Sequence, residues 1–344
     1  MSSGGIVCTI FKYQTDSIDW GCAINFRNLS VLLLLCTIAA GCRRIDAGPT
    51  PIPTQSPTPR STALPALPTD EPLGSEANPI QMLVVTSDPA AIETELTALQ
   101  TAIGDATGLS LEIVAGERPA EALAALCASP DGIVSIAWLD GLSALAANAQ
   151  GCGDLTLTAE RQLDDETSAA QTIQIITRRA AENIAALEGR TFCRVSATDL
   201  ETWLYPSILL KANGLDVASA IEGTEDVASA AEVAAAVAGN DCDAAGISTE
   251  TFAALDEDTQ NDLTVLEPTL SVPYRVMVYP QQASLGVRSA IDNALGGFAG
   301  NPEQLPLLQA VLMADDVRPL TAADLDSLRD ALRAADLDLA QIGG

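Results

Sequence analysis

Histidine is absent from all 344 residues of this chain. That removes the commonest general base and the commonest metal ligand, and with them the usual routes to hydrolysis. There is also no G-x-S-x-G, no P-loop and no HExxH, so the sequence reads as a non-enzyme that needs no cofactor. Basic residues are scarce: 17 Lys and Arg stand against 46 Asp and Glu, a formal net charge of −29. A surface of that sign repels nucleic acid and anionic lipid headgroups, and it opposes the approach of any anion. As solvated surface charge it also keeps a protein soluble. Aromatics are only 3% within a hydrophobic content of 48%, so the core must be built from small aliphatics. The apolar run at residues 31–41, VLLLLCTIAAG, is too short to span a bilayer as a stable helix.

That run has the length of a signal-peptide core, and Arg27 precedes it. Ala39-Ala40-Gly41-Cys42 follows and resembles the lipobox of bacterial lipoproteins, with Ala39 where Leu is commonest. Cleavage before Cys42 would leave its thiol to carry a lipid. The segment ahead of the apolar run is long for such a leader, as a wrongly assigned start codon would make it. An uncleaved signal anchor is the other reading. Residues 48–79 are rich in Pro, Thr and Ser without an apolar period, the composition of a semi-rigid tether. The expected layout is a signal peptide at 1–41 and a tether at 42–79, placing the protein outside the cytoplasm on a membrane lipid anchor. Lys12 and Arg27 cancel Asp16 and Asp19, so processing leaves the net charge of −29 unchanged. It also removes Cys8, Cys22 and Cys36 and commits Cys42, leaving Cys127, Cys152, Cys193 and Cys242. Four thiols in an exported chain suggest two disulfides, with three pairings possible. The absence of C-x-x-C and of histidine argues against a metal site.

From residue 80 the pattern alternates. Strands are expected at 80–87, 110–115, 132–139, 172–177, 191–195, 244–248, 263–266 and 274–279. Helices are expected at 88–103, 119–128, 141–150, 180–187, 199–212, 228–238, 249–262 and 281–296, with two more near 302–314 and 321–335. A turn is expected at 104–108. Such alternation implies βαβ units and a largely parallel sheet.

The chain is organised around Leu187 to Asp216, LEGRTFCRVSATDLETWLYPSILLKANGLD. A short strand runs into a helix N-terminus, which in open α/β sheets is where ligands bind. Thr198 and Glu201 have capping-box spacing, and Leu200, Trp203, Leu204, Ile208 and Lys211 would share one face. Asn213-Gly214 can close the helix. Leu-x-Gly-Arg, strand, polar loop, aromatic, Pro, helix, Gly-Leu-Asp resembles the second lobe of phosphate/phosphonate-type ABC-transporter solute-binding proteins. Downstream, Gly223-Thr224-Glu225-Asp226, Ala-Val-Ala-Gly at 236–239, Asp241, Asp243-Ala-Ala-Gly and Val272-Pro273-Tyr274 keep the family's order and spacing. The resemblance spans about residues 80–315. It implies a two-lobed periplasmic-binding-protein-like α/β fold, type II, each lobe a mostly parallel sheet flanked by helices, with two hinge crossings. Lobe 1 would take 80–170 and 272–344, and lobe 2 would take 171–271. Cys127–Cys152 and Cys193–Cys242 are then the favoured disulfides, because each falls within one lobe.

In the resembling family a Ser/Thr-rich run ending in Gly holds the anion. The matching positions are Asp199, Leu200, Glu201 and Thr202, where three of four have lost the hydroxyl or glycine and two carry carboxylates. A phosphate there would need Ser196 and Thr198 to shift toward it; otherwise Thr198, Asp199 and Glu201 only cap a helix. Strand ends add Thr86, Ser87, Trp138, Asp140, Gln171, Thr172, Ser271 and Tyr274. Trp138 and Trp203, the tryptophans left after processing, suit an organic cation beside carboxylates, or pack in the lobes. Arg178, Arg194 and Arg275 could serve an anion instead. The ligand-binding set is thus Thr86, Ser87, Trp138, Asp140, Thr172, Ser196, Thr198, Asp199, Glu201, Thr202, Trp203 and Tyr274. The expected function is an extracytoplasmic, lipid-anchored receptor that passes a small molecule to an ABC permease. The alternative is a surface lipoprotein that kept the fold for sensing or scaffolding.

Overall fold

The computed structural model describes residues 71–86, 88–129, 135–163, 166–178, 181 and 183–342. Ser87, Cys42, residues 1–41 and residues 42–70 of the expected tether lie outside them. In chain order the first half contains β1 (Ile80–Val85), α1 (Glu93–Thr107), β2 (Leu111–Gly116), α2 (Pro119–Cys127), β3 (Ser135–Leu139), α3 (Gly141–Ala149), β4 (Asp154–Leu163), β5 (Glu166–Ser168) and β6 (Ala170–Thr177). Next come β7 (Thr191–Arg194), α4 (Tyr205–Ala212), α5 (Val217–Ala220), β8 (Gly223–Asp226), α6 (Ala230–Gly239), β9 (Ala244–Ser248), α7 (Thr249–Ala253), α8 (Glu257–Asp262) and β10 (Thr264–Pro273). The chain closes with β11 (Val276–Tyr279), α9 (Leu285–Phe298), α10 (Leu305–Leu307), β12 (Asp316–Pro319) and α11 (Ala323–Ala334).

The strands form two sheets with helices packed against them. The first has the order β12-β4-β11-β3-β1-β2, with β5 paired to β4; the second has the order β10-β6-β9-β7-β8. Each sheet has a parallel half, in which β1 runs between β2 and β3 and β7 between β8 and β9. β1, inside its sheet, is covered on both faces and so reads as a near-continuous apolar run with Ile80, Met82, Leu83, Val84 and Val85 buried. The strands next to the crossings run antiparallel: β11 to β3 and β4, β6 to β9 and β10. The parallel arrangement expected of each sheet therefore holds in its βαβ half, and the strands that arrive from the other sheet make it mixed.

The chain passes between the sheets at Ser168–Ala170 and again at Tyr274–Arg275. The passes are tied to each other and to the first sheet. Tyr274 N donates to Ala169 O at 3.2 Å, while Ala159 N and Thr158 Oγ1 donate to Arg275 O at 3.0 and 3.2 Å. One apolar cluster also spans both sides, joining Leu142 and Leu145 of α3, Tyr205, Ile208 and Leu209 of α4, and Leu325, Leu328 and Leu332 of α11. Disulfides link Cys127 to Cys152 and Cys193 to Cys242, the second enclosing a separation of 49 residues. In the chain-entropy account a loop of that length adds roughly 4 kcal/mol.

Several elements differ from expectation. Helix α1 runs through Gly104 and ends at Gly108, whose φ of 70° forms the left-handed cap. Residues 249–262 split into α7 and α8 because the Asp256 side chain caps a new helix by accepting from Thr259 N. Residues 184–187 make only a 3-10 turn. Strands β4, β5, β8 and β12 were not expected, and β10 is continuous across a register shift between Leu266 and Leu270. The last residues of the expected tether are docked: Gly74 O accepts from Ser110 N at 2.6 Å, and Leu73 packs on the first core.

Two packing details yield tests. A Cβ at Gly246 would overlap Pro206 Cγ, because α4 lies directly on β9. Gly246→Ala is expected to cost about 2–3 kcal/mol through overpacking, read as a lower urea midpoint; an unchanged midpoint contradicts the close approach. Arg318 of β12 grips Asp324 of α11 at 2.7 Å and Glu160 at 2.8 Å. Arg318, with the Thr321 N–H and hydroxyl, holds the Asp324 carboxyl well below the usual carboxylate range. A depressed folded pKa stabilises above the unfolded value of about 4 and is lost as pH falls below it. The unfolding midpoint is therefore expected to drop between about pH 5 and pH 3, and Asp324→Asn to flatten that fall.

Candidate functional site

The second crossing, the start of β6, the N-terminus of α3 and the segment before α4 converge on a cavity of ≈ 90 Å³. Its walls are Asp140, Arg161, Gln171, Leu200, Tyr205, Tyr274, Arg275 and Met313. First-sheet elements bring Asp140 and Arg161, the second-sheet side brings Gln171, Leu200 and Tyr205, and the second crossing brings Tyr274 and Arg275. Ligand pockets usually run to about 300–1,000 Å³, so this space is small for one.

Asp140 caps α3. Its Oδ1 accepts from Leu142 N and Ser143 N, both at 3.0 Å, and from Tyr205 OH at 3.4 Å. Its Oδ2 is buried without a hydrogen-bond partner among the described residues, and the residue is 2% exposed. Burial, reinforced by the Asp140 charge, raises the Tyr205 pKa well above the ordinary tyrosine value, so its hydroxyl stays a donor. Arg275 Nη1 is likewise buried without a partner among the described residues. Burial lowers the pKa of that guanidinium. Arg161 lies 4.5 Å over the Tyr274 ring, approaches Glu250 at 3.7 Å, and donates from Nε to Met313 O at 3.0 Å. Tyr274 OH donates to Glu250, and burial, then that bond, pushes the tyrosine pKa up.

Two π-helical turns abut the cavity. One, Leu200–Leu204, begins with a lining residue; the other, Leu308–Leu312, is capped by lining Met313 at φ 52°, a left-handed conformation in a non-glycine residue. Such turns widen a helix locally and concentrate at functional sites. The first also explains why the expected capping box fails to form. Asp199, not Thr198, is the cap and accepts from Thr202 N at 2.7 Å. Glu201 is thereby swung away to accept from Ser248 N at 2.8 Å and from the Thr251 hydroxyl at the start of α7. The extra backbone residue also shifts the buried face, which carries Tyr205, Pro206, Ile208, Leu209 and Leu210, while Trp203 and Lys211 are half-buried.

Of the residues expected at the site, Asp140 and Tyr274 line the cavity, and Thr172 follows lining Gln171 on β6. Thr202 is fully buried, accepting from Val195 N at 2.9 Å and donating to Asp199 at 2.6 Å. Trp138 is 1% exposed in the first core and donates from Nε1 to Leu312 O at 2.9 Å. Trp203 stacks under Arg194 at 4.5 Å and meets Phe192 edge-on. Ser196 and Thr198 face each other at 3.3 Å on an exposed loop, and Thr86 N donates to Gly116 O at the end of β1. Arg161, Tyr205 and Met313 were missed. Arg161 lies in LTLTAERQL, whose two-residue alternation marks a strand; Tyr205 and Met313 carried no signal of their own.

Glu201 offers a direct test. Hydrogen bonds to a charged group contribute about 1.5–3 kcal/mol. Glu201→Ala is expected to lower stability by that order and Glu201→Gln by less, measured by urea unfolding.

Among curated proteins none matches this chain. Solved structures do. A Xanthomonas citri protein solved with chloride is 18% identical with a TM-score of 0.59, covering 75% of this chain and 97% of its own. A binding protein component of an ABC phosphonate transporter from Pseudomonas aeruginosa is 16% identical with a TM-score of 0.54, covering 75% and 87%. PhnD1 from Prochlorococcus marinus, in complex with methylphosphonate, is 10% identical with a TM-score of 0.52, covering 75% and 98%. At these identities the likeness shows the fold, a two-lobed periplasmic-binding-protein architecture. The family described as the periplasmic substrate-binding protein of phosphonate ABC transporters matches residues 82–328, and the chain belongs to that family of extracytoplasmic substrate-binding proteins.

Proposed function

We propose that the chain is a lipid-anchored receptor that closes its two lobes around a small molecule and delivers it to an ABC permease. The observation that carries this is the position of the cavity: both sheets and the second crossing contribute walls to one polar space. A ligand held there is touched by both lobes, so it favours their closed arrangement, the usual hinge mechanism. In this reading the anion loop of the family is degenerate, with Asp199 and Glu201 engaged inside the protein. The lobes are residues 80–170 with 272–344, and 171–271. Cys42 carries the lipid, and the tether runs from there to the docked residues that begin at Leu73.

A sensing or scaffolding lipoprotein is the second reading. It is favoured by Glu201, whose carboxylate already occupies donors at the start of α7. Neighbouring permease and ATPase genes support transport; a neighbouring kinase gene supports sensing.

The test is to titrate the full chain with amino acids, alkylphosphonates, phosphate and small amines while recording tryptophan fluorescence. Trp138 is bonded to Leu312, next to lining Met313, so lobe closure is expected to change its emission. At least one compound should give a saturable response, weakened about a hundredfold by Arg275→Met, since losing one member of a buried charge pair costs a few kcal/mol. Flat traces throughout overturn the receptor reading.

A further inference from the structure

One guanidinium at the joint already grips a carboxylate. Arg161 of β4 lies over the Tyr274 ring at 4.5 Å, and its Nη1 stands 3.7 Å from Glu250 Oε2. Its Nε donates to Met313 O at 3.0 Å, which fixes the side chain. The Tyr274 hydroxyl donates to the other oxygen, Glu250 Oε1. One carboxylate is therefore met by a cation at one oxygen and a neutral donor at the other, as a free carboxylate would be. The parts come from different sides: Arg161 from the first sheet, Glu250 from the first turn of α7 on the second, and Tyr274 from the second crossing. Tyr274 is 5% exposed and its N–H donates to Ala169 O of the first crossing, so its place does not depend on Glu250. Burial, then the bond to Glu250, pushes its pKa up and keeps the hydroxyl a donor. Ser248 N and the Thr251 hydroxyl, the donors at the start of α7, are taken by Glu201. Glu250 thus draws its partners from across the joint. The side chains of Arg161 and Glu250 are 31% and 24% exposed, so water screens them less than a surface pair.

We propose that Arg161 and the Tyr274 hydroxyl form a carboxylate-binding cradle that the chain fills with its own Glu250, fastening α7 to β4 until a free carboxylate displaces it. This goes beyond the receptor reading and does not depend on which small molecule the cavity takes. Arg161 also lines the groove of ≈ 300 Å³ outside the cavity, which gives a free carboxylate its approach. A chain of net charge −29 repels anions in solution, whereas the fold delivers Glu250 to the cradle, so the internal carboxylate prevails when free ones are dilute.

The experiment is isothermal titration of the full chain and its variants with formate. Glu250→Ala vacates the cradle and is expected to bind formate at least about tenfold more tightly than the unmodified chain, as hydrogen bonds to a charged group contribute about a decade or more. Adding Arg161→Met to that variant should remove the gain. Equal formate affinity in Glu250→Ala and the unmodified chain overturns the proposal, and so does a gain that survives Arg161→Met. If Glu250→Ala fails to fold, a double-mutant cycle of Glu250→Gln and Arg161→Met in urea unfolding decides. Coupling of at least about fivefold in the unfolding constant supports the cradle, and additive effects overturn it. A saturable response in the fluorescence panel without a formate site in Glu250→Ala overturns the cradle alone; flat fluorescence with a formate site overturns the receptor reading alone.

Discussion

A carboxylate and a guanidinium held out of water at the joint between two sheets set the terms for this molecule. Holding two such ions out of water is costly unless every polar atom finds a partner. Here the backbone is satisfied and the charge is not. The carbonyl of Arg275 accepts two hydrogen bonds from β4 while its Nη1 is left without one among the described residues. Asp140 caps α3 with one oxygen and keeps the other buried without a partner among the described residues. The residues that fasten the joint are thus the residues that face the space within it.

The joint also explains the mechanics. Two crossing strands and the α3, α4 and α11 cluster hold the sheets together, while the cavity between them is only ≈ 90 Å³. A groove of ≈ 300 Å³ lies outside it and shares Arg161 and Met313 with the cavity wall. Those two side chains divide inner space from outer, linked by the Arg161 bond to the Met313 carbonyl at 3.0 Å.

Much of the fold was legible because its βαβ halves obey local rules. Ile80–Val85 reads as a strand from its apolar run, and α4 ends where Asn213-Gly214 allows. The strands that escaped notice are edge or crossing strands such as β4, whose half-polar pattern reflects pairing partners supplied from far along the chain. The site was legible only where it coincided with an element end, as at Asp140 and Tyr274. Trp138 illustrates the limit: its position at the end of β3 suggests a cleft, but which face the ring takes depends on Leu312, far away in sequence. Glu201 illustrates another. Its spacing from Thr198 fits a capping box, yet a π-helical turn redirects it to α7, and one-dimensional spacing carries no trace of that turn.

The central claim is that the space between Asp140 and Arg275 is where this protein holds its ligand. A crystal structure of the full chain purified without stripping bound molecules tests it most directly. The account predicts electron density bridging the two side chains that is larger than water. Density for a bound molecule at any other place, with only water between Asp140 and Arg275, would contradict it.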